Sequence, residues 1–303
     1  MRKKALCEER MRLDAFLASC VPDISRSAVK ELIGDVSVNG RAVTKLSKSV
    51  FPGDEIEFLL DDERCDIRNP DTHSDPIDLD VIHEDDCLLV INKRQGVPVH
   101  HGNGHYSGTI EDGLYFMMDD ARREEMAEFR YGIVHRLDMD TSGLMVIAKT
   151  RRAAEFLIGE FKSHRVLKEY LALAKGLVSA SEGRLETGIR RSDRNRLKFE
   201  TCPCGEGKLA ITEYKVLKYF SDKATLLSVL LKTGRTHQIR VHLKSMGNPI
   251  FGDAIYGFGK ADGMSLMLHA RRLGFEHPNG GHMEFDSGVP LRFERIEEGI
   301  GGL

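Results

Sequence analysis

The chain has 303 residues, 41% of them hydrophobic and 30% charged, with a formal net charge of -3. That length can bury more than one core, so one large or two unequal domains are expected. The balance excludes a uniformly basic nucleic-acid binder and leaves room only for a local patch. No apolar run reaches the roughly 20 residues that cross a bilayer. The opening Met1-Arg2-Lys3-Lys4-Ala5-Leu6-Cys7-Glu8-Glu9 is basic but has no apolar signal core, so a cytoplasmic location is expected. Cys7, Cys20, Cys65, Cys87, Cys202 and Cys204 are scattered, as suits reduced thiols. Cys202-Pro203-Cys204 is one residue short of the usual zinc spacing and has no second pair to match, so no metal is expected.

Residues 11–60 read as a small α/β module. Leu13, Phe16, Leu17 and Cys20 recur at helical spacing, with Asp14 in the first turn. Ser25 suits the cap of a second helix whose apolar face is Val29, Leu32 and Ile33. Val36-Ser37-Val38, Asn39-Gly40 and Arg41-Ala42-Val43 form a hairpin pattern with the residues a type I′ turn needs. Pro52-Gly53-Asp54 then turns into the strand Glu55–Leu60. Arg26, Lys30, Arg41, Lys45 and Lys48 can line a phosphate-binding face; the plainer reading is ordinary solvated charge.

Residues 61–80, rich in aspartate and proline, read as a linker. A second domain is expected over 81–295, opening with Val81-Ile82-His83-Glu84-Asp85 and the strand Leu88–Lys93. Short strands alternate with helices, one near Ala153–Leu157, without a βαβ rhythm or a glycine-rich phosphate loop. The expected class is α+β with a mixed, mostly antiparallel sheet. The tail Gly299–Leu303 should be loose.

The most informative string is His135-Arg136-Leu137-Asp138-Met139-Asp140-Thr141-Ser142-Gly143-Leu144. It lies between Tyr131–Val134 and Leu144–Ala148, both of which read as buried strands that would hold a polar loop rigidly. A lone aspartate in a loop is usually a turn-former. The triplet Arg12-Leu13-Asp14 repeats Arg136-Leu137-Asp138 in a helical context, so only the longer string discriminates. That string resembles the signature of the RluA-type RNA pseudouridine synthases. Lys168-Glu169-Tyr170, Thr233-Gly234-Arg235-Thr236-His237-Gln238-Ile239-Arg240-Val241-His242, Pro249 through Gly257 and Leu268-His269-Ala270 extend the resemblance in order. One departure is Lys93-Arg94, where the family commonly has Lys-Pro. Residues 11–60, through Arg12-Leu13-Asp14, Ser25-Arg26-Ser27, Val36 to Gly40 and Gly53-Asp54, resemble the S-four RNA-binding module.

The resemblance implies a bent sheet with a central cleft, no cofactor, and isomerisation of uridine to pseudouridine in RNA. Large-subunit ribosomal RNA is the expected substrate. Transfer RNA, a non-catalytic RNA-binding assembly factor and an aspartate-dependent nucleosidase are the rivals. No membrane and no obligate protein partner are implied. Asp138 is the expected nucleophile, since a carboxylate with an ordinary pKa near 3.9 is ionised at neutral pH. It can attack the ribose carbon or C6 of the ring, or abstract a ribose proton, and the sequence leaves these open. Arg235 is expected to hold the carboxylate charged through a guanidinium pair, and Tyr170 to stack on the flipped uracil. Arg136 and Arg240 are expected to contact RNA, as is the basic run Arg190–Lys198. His135, His237 and His242 are assigned structural or RNA-contact roles.

Overall fold

The computed structural model describes residues 1–21, 29–60, 75–102, 107–195, 197–257 and 264–296. The chain divides into two compact units: Met1–Ser74 with His101–Ser107, and Asp75–His100 with Gly108–Leu303.

In the first unit the order is β1 (Arg2–Leu6), β2 (Met11–Arg12), α1 (Leu13–Ser19), α2 (Val29–Leu32), β3 (Ile33–Val38), β4 (Arg41–Ala42), β5 (Ser49–Val50) and β6 (Glu55–Leu60). Strands pair in the order β1-β6-β3-β4, all antiparallel, and β2 pairs β5. In β6, Ile56, Phe58 and Leu60 are buried on one face, where they meet Leu13, Phe16 and Leu17 of α1. The expected turn is present: Asn39 and Gly40 have φ of 51° and 72°, and Val38 faces Arg41. Asn39 fixes this turn further by donating to Asp54 Oδ1 and accepting from Glu55 N. Ile33 departs from expectation. The helix stops at Leu32 and Ile33 opens β3, since a β-branched residue followed by Gly34 favours leaving a helix. Ser25, Arg26, the Lys30 side chain and residues 61–74 lie outside the described residues.

The second unit contains β7 (Val81–Glu84), β8 (Leu88–Lys93), α3 (Ile110–Met117), α4 (Asp120–Ala127), β9 (Ser142–Ala148), α5 (Arg151–Lys162), β10 (Leu167–Lys175) and β11 (Glu182–Arg191). It continues with β12 (Phe199–Cys202), β13 (Lys208–Phe220), β14 (Ala224–Leu231), α6 (Gln238–Ser245), β15 (Leu268–Glu276), β16 (His282–Asp286) and α7 (Leu291–Glu294). One sheet runs β12-β11-β13-β14-β10-β15-β9-β8-β7, with β16 on β15. Its ladders are antiparallel except β9 against β15, so the mixed, mostly antiparallel class is as expected. All seven residues of β9 are buried, as an apolar central strand requires. A capping box at Thr109 and Asp112 starts α3, and Thr150 caps α5 by accepting from Ala153 N.

The run Tyr131–Val134 is not the strand its β-branched residues suggest. Arg130–Gly132 form a 3-10 turn with positive φ at Arg130 and Tyr131. Ile133 makes a single bridge to Ile147. Gly132 explains the departure: a Cβ there would stand 1.9 Å from Ala148 O, so the turn lies directly against β9.

Candidate active site

Asp138 stands in the loop between this turn and β9, and the loop is braced from both sides. Thr141 N donates to Asp138 O at 3.0 Å. Lys93, at the end of β8 and 2% exposed, donates through Nζ to Arg94 O, Val97 O and Met139 O at 2.8–3.0 Å. Burial pulls its pKa down to about 7 against the attraction of Asp138 and Asp140; the three carbonyls match the three donors of its ammonium form. Gln95 Nε2 donates to Asp140 O and Leu266 O, both at 2.7 Å.

The glycine ending the Thr-Ser-Gly string has a steric reason. Gly143 has φ 121°, and a Cβ on it would stand 2.2 Å from Ala270 O. Here β9 and β15 meet, with Ser142 opposite His269 and Gly143 opposite Ala270. Arg292 Nη2 donates to Ser142 Oγ, which therefore donates to His269 Nδ1 at 2.8 Å. Burial lowers the His269 pKa to about 4, so the ring is a neutral acceptor.

The partner of the Asp138 carboxylate is Arg240, not Arg235. Arg240 Nη1 lies 3.1 Å from Asp138 Oδ2. Its Nε and Nη2 each donate to Asp253 at 2.8 Å. The Asp253 side chain is wholly buried and accepts in addition from Ile255 N and Tyr256 N. Burial works against the Arg240 charge, but Asp253 and then Asp138 outweigh it and raise its pKa. Burial of Asp253 is likewise outweighed by Arg240, which holds the carboxyl below its usual range.

Helix position separates the two arginines. Gln238 through Leu243 are all buried, so α6 carries Arg240 inward. Arg235 precedes the helix and is half-buried, with its Nε donating to Leu209 O and its N–H to Gln238 Oε1. Arg240, 4% exposed and bonded to two carboxylates, is likewise not the phosphate contact expected of it.

The histidines divide. His242 is fully buried between Thr187 and Thr212, and burial lowers its pKa to about 4. His135 accepts from Val146 N and stacks on Phe161. Both rings are held by contacts within the protein, and His135 also lines the cleft over Asp138. His237 begins α6 in the left-handed region. Its Nδ1 meets Tyr256 Oη at 2.9 Å and its Nε2 lies 3.8 Å from Asp138.

A cleft of about 490 Å³ opens over Asp138. Tyr170, 8% exposed, lies in its wall, where burial and then Asp138 raise the phenol pKa and keep it protonated. Arg136 is exposed at the cleft and Arg235 lines it. The control triplet behaves differently: Arg12 spends its guanidinium on Asp14 of the same triplet. Elsewhere Arg41 is exposed, as a phosphate contact must be. Arg190 in the basic run is shared with Glu200 and Glu206.

Three residues were not singled out by role from sequence. Lys93, Asp253 and Lys168 lie inside the motif segments, where nothing in the sequence marks their separate roles. Asp85, Cys87 and His277 also place donor atoms within 4.8 Å of one another. Asp85 already accepts from two backbone N–H groups through Oδ1 and faces His83 and His277 through Oδ2. His277 Nε2 is buried and, apart from its 3.3 Å approach to Asp85 Oδ2, has no hydrogen-bond partner among the described residues.

Residues 87–245 match the RNA pseudouridylate synthase family, and residues 11–56 match the S4 domain. An RNA pseudouridine synthase of Bacillus subtilis (strain 168) is 39% identical, over 95% of this chain and 94% of that one. A protein named ribosomal large subunit pseudouridine synthase D, from Vibrio parahaemolyticus, is 39% identical over 92% of this chain and 87% of its own. Among solved structures, human RNA pseudouridylate synthase domain containing 1 superposes with a TM-score of 0.57 at 28% identity, over 72% of this chain and 87% of that one. With an arginine-paired carboxylate in a cleft and this likeness along nearly its whole length, the chain belongs to the RNA pseudouridine synthase family, enzymes that isomerise uridine within RNA, and carries an S4 RNA-binding domain ahead of the catalytic one.

Proposed function

We propose that this enzyme converts specific uridines of large-subunit ribosomal RNA to pseudouridine, with Asp138 as the nucleophile. The observation that carries the chemistry is the Asp138–Arg240–Asp253 chain at the floor of a cleft walled by Tyr170. An arginine anchored by a second, buried carboxylate pairs with Asp138 and fixes the attacking oxygen. Tyr170 offers a ring to stack on a flipped uracil and a hydroxyl that can relay the C5 proton, accepting it as its own passes on toward N1. Arg136 at the cleft and Arg235 on its wall suit the phosphates of the strand around the flipped nucleotide. No step of this scheme calls for a metal or cofactor.

The substrate choice rests on relatives named for the large ribosomal subunit and on the S4 domain. In this reading residues 11–60 dock folded RNA through Arg26, Lys30 and Arg41, residues 61–80 link, and residues 81–295 catalyse, in the cytoplasm. Pseudouridine in total RNA from cells with and without the gene is mapped by chemical labelling and primer extension. Loss of large-subunit signals supports the proposal, and loss only in transfer RNA overturns the substrate. Asp138→Asn should fold and bind RNA without isomerising it; turnover at the wild-type rate removes Asp138 from its role.

A further inference from the structure

Strand β10 sorts its side chains by alternation. Glu169 faces away from the cleft, accepting from Ser228 Oγ at 2.8 Å and from Arg272 Nη1 at 2.9 Å. Lys168 and Tyr170, two residues apart, both line the cleft. Across the ladder with β15, Glu169 pairs with Arg272 and Tyr170 with Ala270, so Arg271 is an extra residue that bulges the sheet at this point. Lys168 is 8% exposed, and its ammonium has no hydrogen-bond or ion-pair partner among the described residues. Its charged neighbour is Arg235, of the same sign. A buried cation without a partner is costly, so its place in the wall calls for a group that arrives with the ligand.

We infer that the Lys168 ammonium donates to a carbonyl oxygen of the flipped uracil and stabilises the negative charge the base acquires as its glycosidic bond breaks. The inference rests on the reading that a uridine enters this cleft. When C1′–N1 cleaves, the electron pair stays with the base and spreads over N1, O2 and O4. The Asp138 carboxylate bonds to C1′, or takes the C2′ proton to leave a C1′–C2′ double bond. When C5 bonds to C1′ the carboxylate leaves, or returns its proton to C2′, and the proton lost from C5 is made up at N1. Lys168 keeps its proton throughout, as a fixed charge aimed at a developing anion. Depth favours the base over a phosphate as its target: Arg136 is exposed and Arg235 half-buried, whereas Lys168 lies with Tyr170 in the wall.

Burial and then Arg235 bring the Lys168 pKa down to about 8, so the charge is present at neutral pH and is lost in mildly alkaline solution. The other charged or titratable groups lining the cleft are Asp138, Arg136, Arg235, Arg240, Lys162, His135, His164, His237 and Tyr170. None of the arginines gives up its charge in that range.

The test compares wild type, Lys168→Met and Lys168→Arg by RNA affinity and by single-turnover rate at saturating enzyme, from pH 6.5 to 9. Lys168→Met should bind RNA as wild type does but react about 100-fold more slowly, the loss typical of one fixed donor at a developing anion. Lys168→Arg should recover part of the rate and lose less of it than wild type between pH 7 and 9. Weaker RNA binding with an unchanged saturated rate would make Lys168 a phosphate contact and overturn the inference; so would Lys168→Met reacting like wild type. If Lys168→Met does not fold, the arginine variant decides, and a pH profile superimposable on wild type refutes the role. Wild-type enzyme that forms no pseudouridine in the same assay would instead defeat the underlying functional reading.

Discussion

Arg240→Met tests the buried charge chain directly. It leaves Asp253, whose side chain is wholly buried, with only two backbone donors, and deprives Asp138 of its cation. Breaking one side of a buried, bidentate pair costs about 3–5 kcal/mol. For a unit of this size that lowers the melting temperature by about 6–20 °C. Asp253→Asn should cost less, since the amide can still accept from one arginine nitrogen. The double variant Arg240→Met/Asp253→Asn removes both buried charges together and leaves only Asp138, whose side chain is 20% exposed and reachable by water. It should therefore be more stable than the sum of the single losses predicts, with a coupling of about 1–3 kcal/mol. Isomerisation should stay lost in all three variants. Urea unfolding followed by circular dichroism, beside a pseudouridine-formation assay, gives both quantities. Strict additivity of the two single losses, or an Arg240→Met protein as stable as wild type, would refute the reasoning.

Three further outcomes are expected. Gly143→Ala should cost more than about 3 kcal/mol and reduce soluble yield, because the added Cβ meets Ala270 O at 2.2 Å in a left-handed backbone; melting temperature and yield check this. Stability should fall as pH drops from about 6.5 toward 4 and change little from these groups above 6.5. His242 and His269 have folded pKa values near 4, so the unfolded chain alone takes up their protons in that window, at a slope of about 1.4 kcal/mol per pH unit for each. His242→Asn should shallow the slope in urea titrations across pH. Arg41→Glu should weaken RNA binding without altering the saturated rate, and should reduce the slope of log affinity against log salt by about 1; unchanged affinity and salt dependence would take Arg41 out of the RNA face.

What the sequence made legible follows from what is local. The Asn39-Gly40 turn, α1 and β9 depend on neighbouring residues and could be read from them. So could the loop that carries Asp138, because its string is contiguous. Tyr131–Val134 was misread because Gly132 lies flush against Ala148, a contact invisible to a periodicity argument. The choice of arginine failed for a related reason. Arg235 and Arg240 stand five residues apart with the same chemistry, and only the start of α6 at Gln238 decides which one turns inward. Asp253 had a signal in the Gly252-Asp253 pair, but nothing in the sequence says that it faces Arg240. Lys168 shares a strand face with Tyr170 by simple alternation, a relation the sequence carries, although Tyr170 itself is marked only by the family resemblance.

The position of β15 has a consequence for how the enzyme comes into being. Without that strand the sheet falls into two pieces, β12-β11-β13-β14-β10 and β9-β8-β7. Lys168 and Tyr170 belong to the first piece, and the Asp138 loop leads into the second. The strand that welds them is made after every one of these residues, and its contact with β9 spans 127 positions of chain, from Ser142 to His269. Closing so long a loop is slow and comes late in folding. A ribosome making this protein has therefore translated almost all of the second unit before Asp138 can face Lys168 and Tyr170. Under the proposed mechanism the nascent chain cannot isomerise the RNA that surrounds it until its final long strand slides into the middle of the sheet.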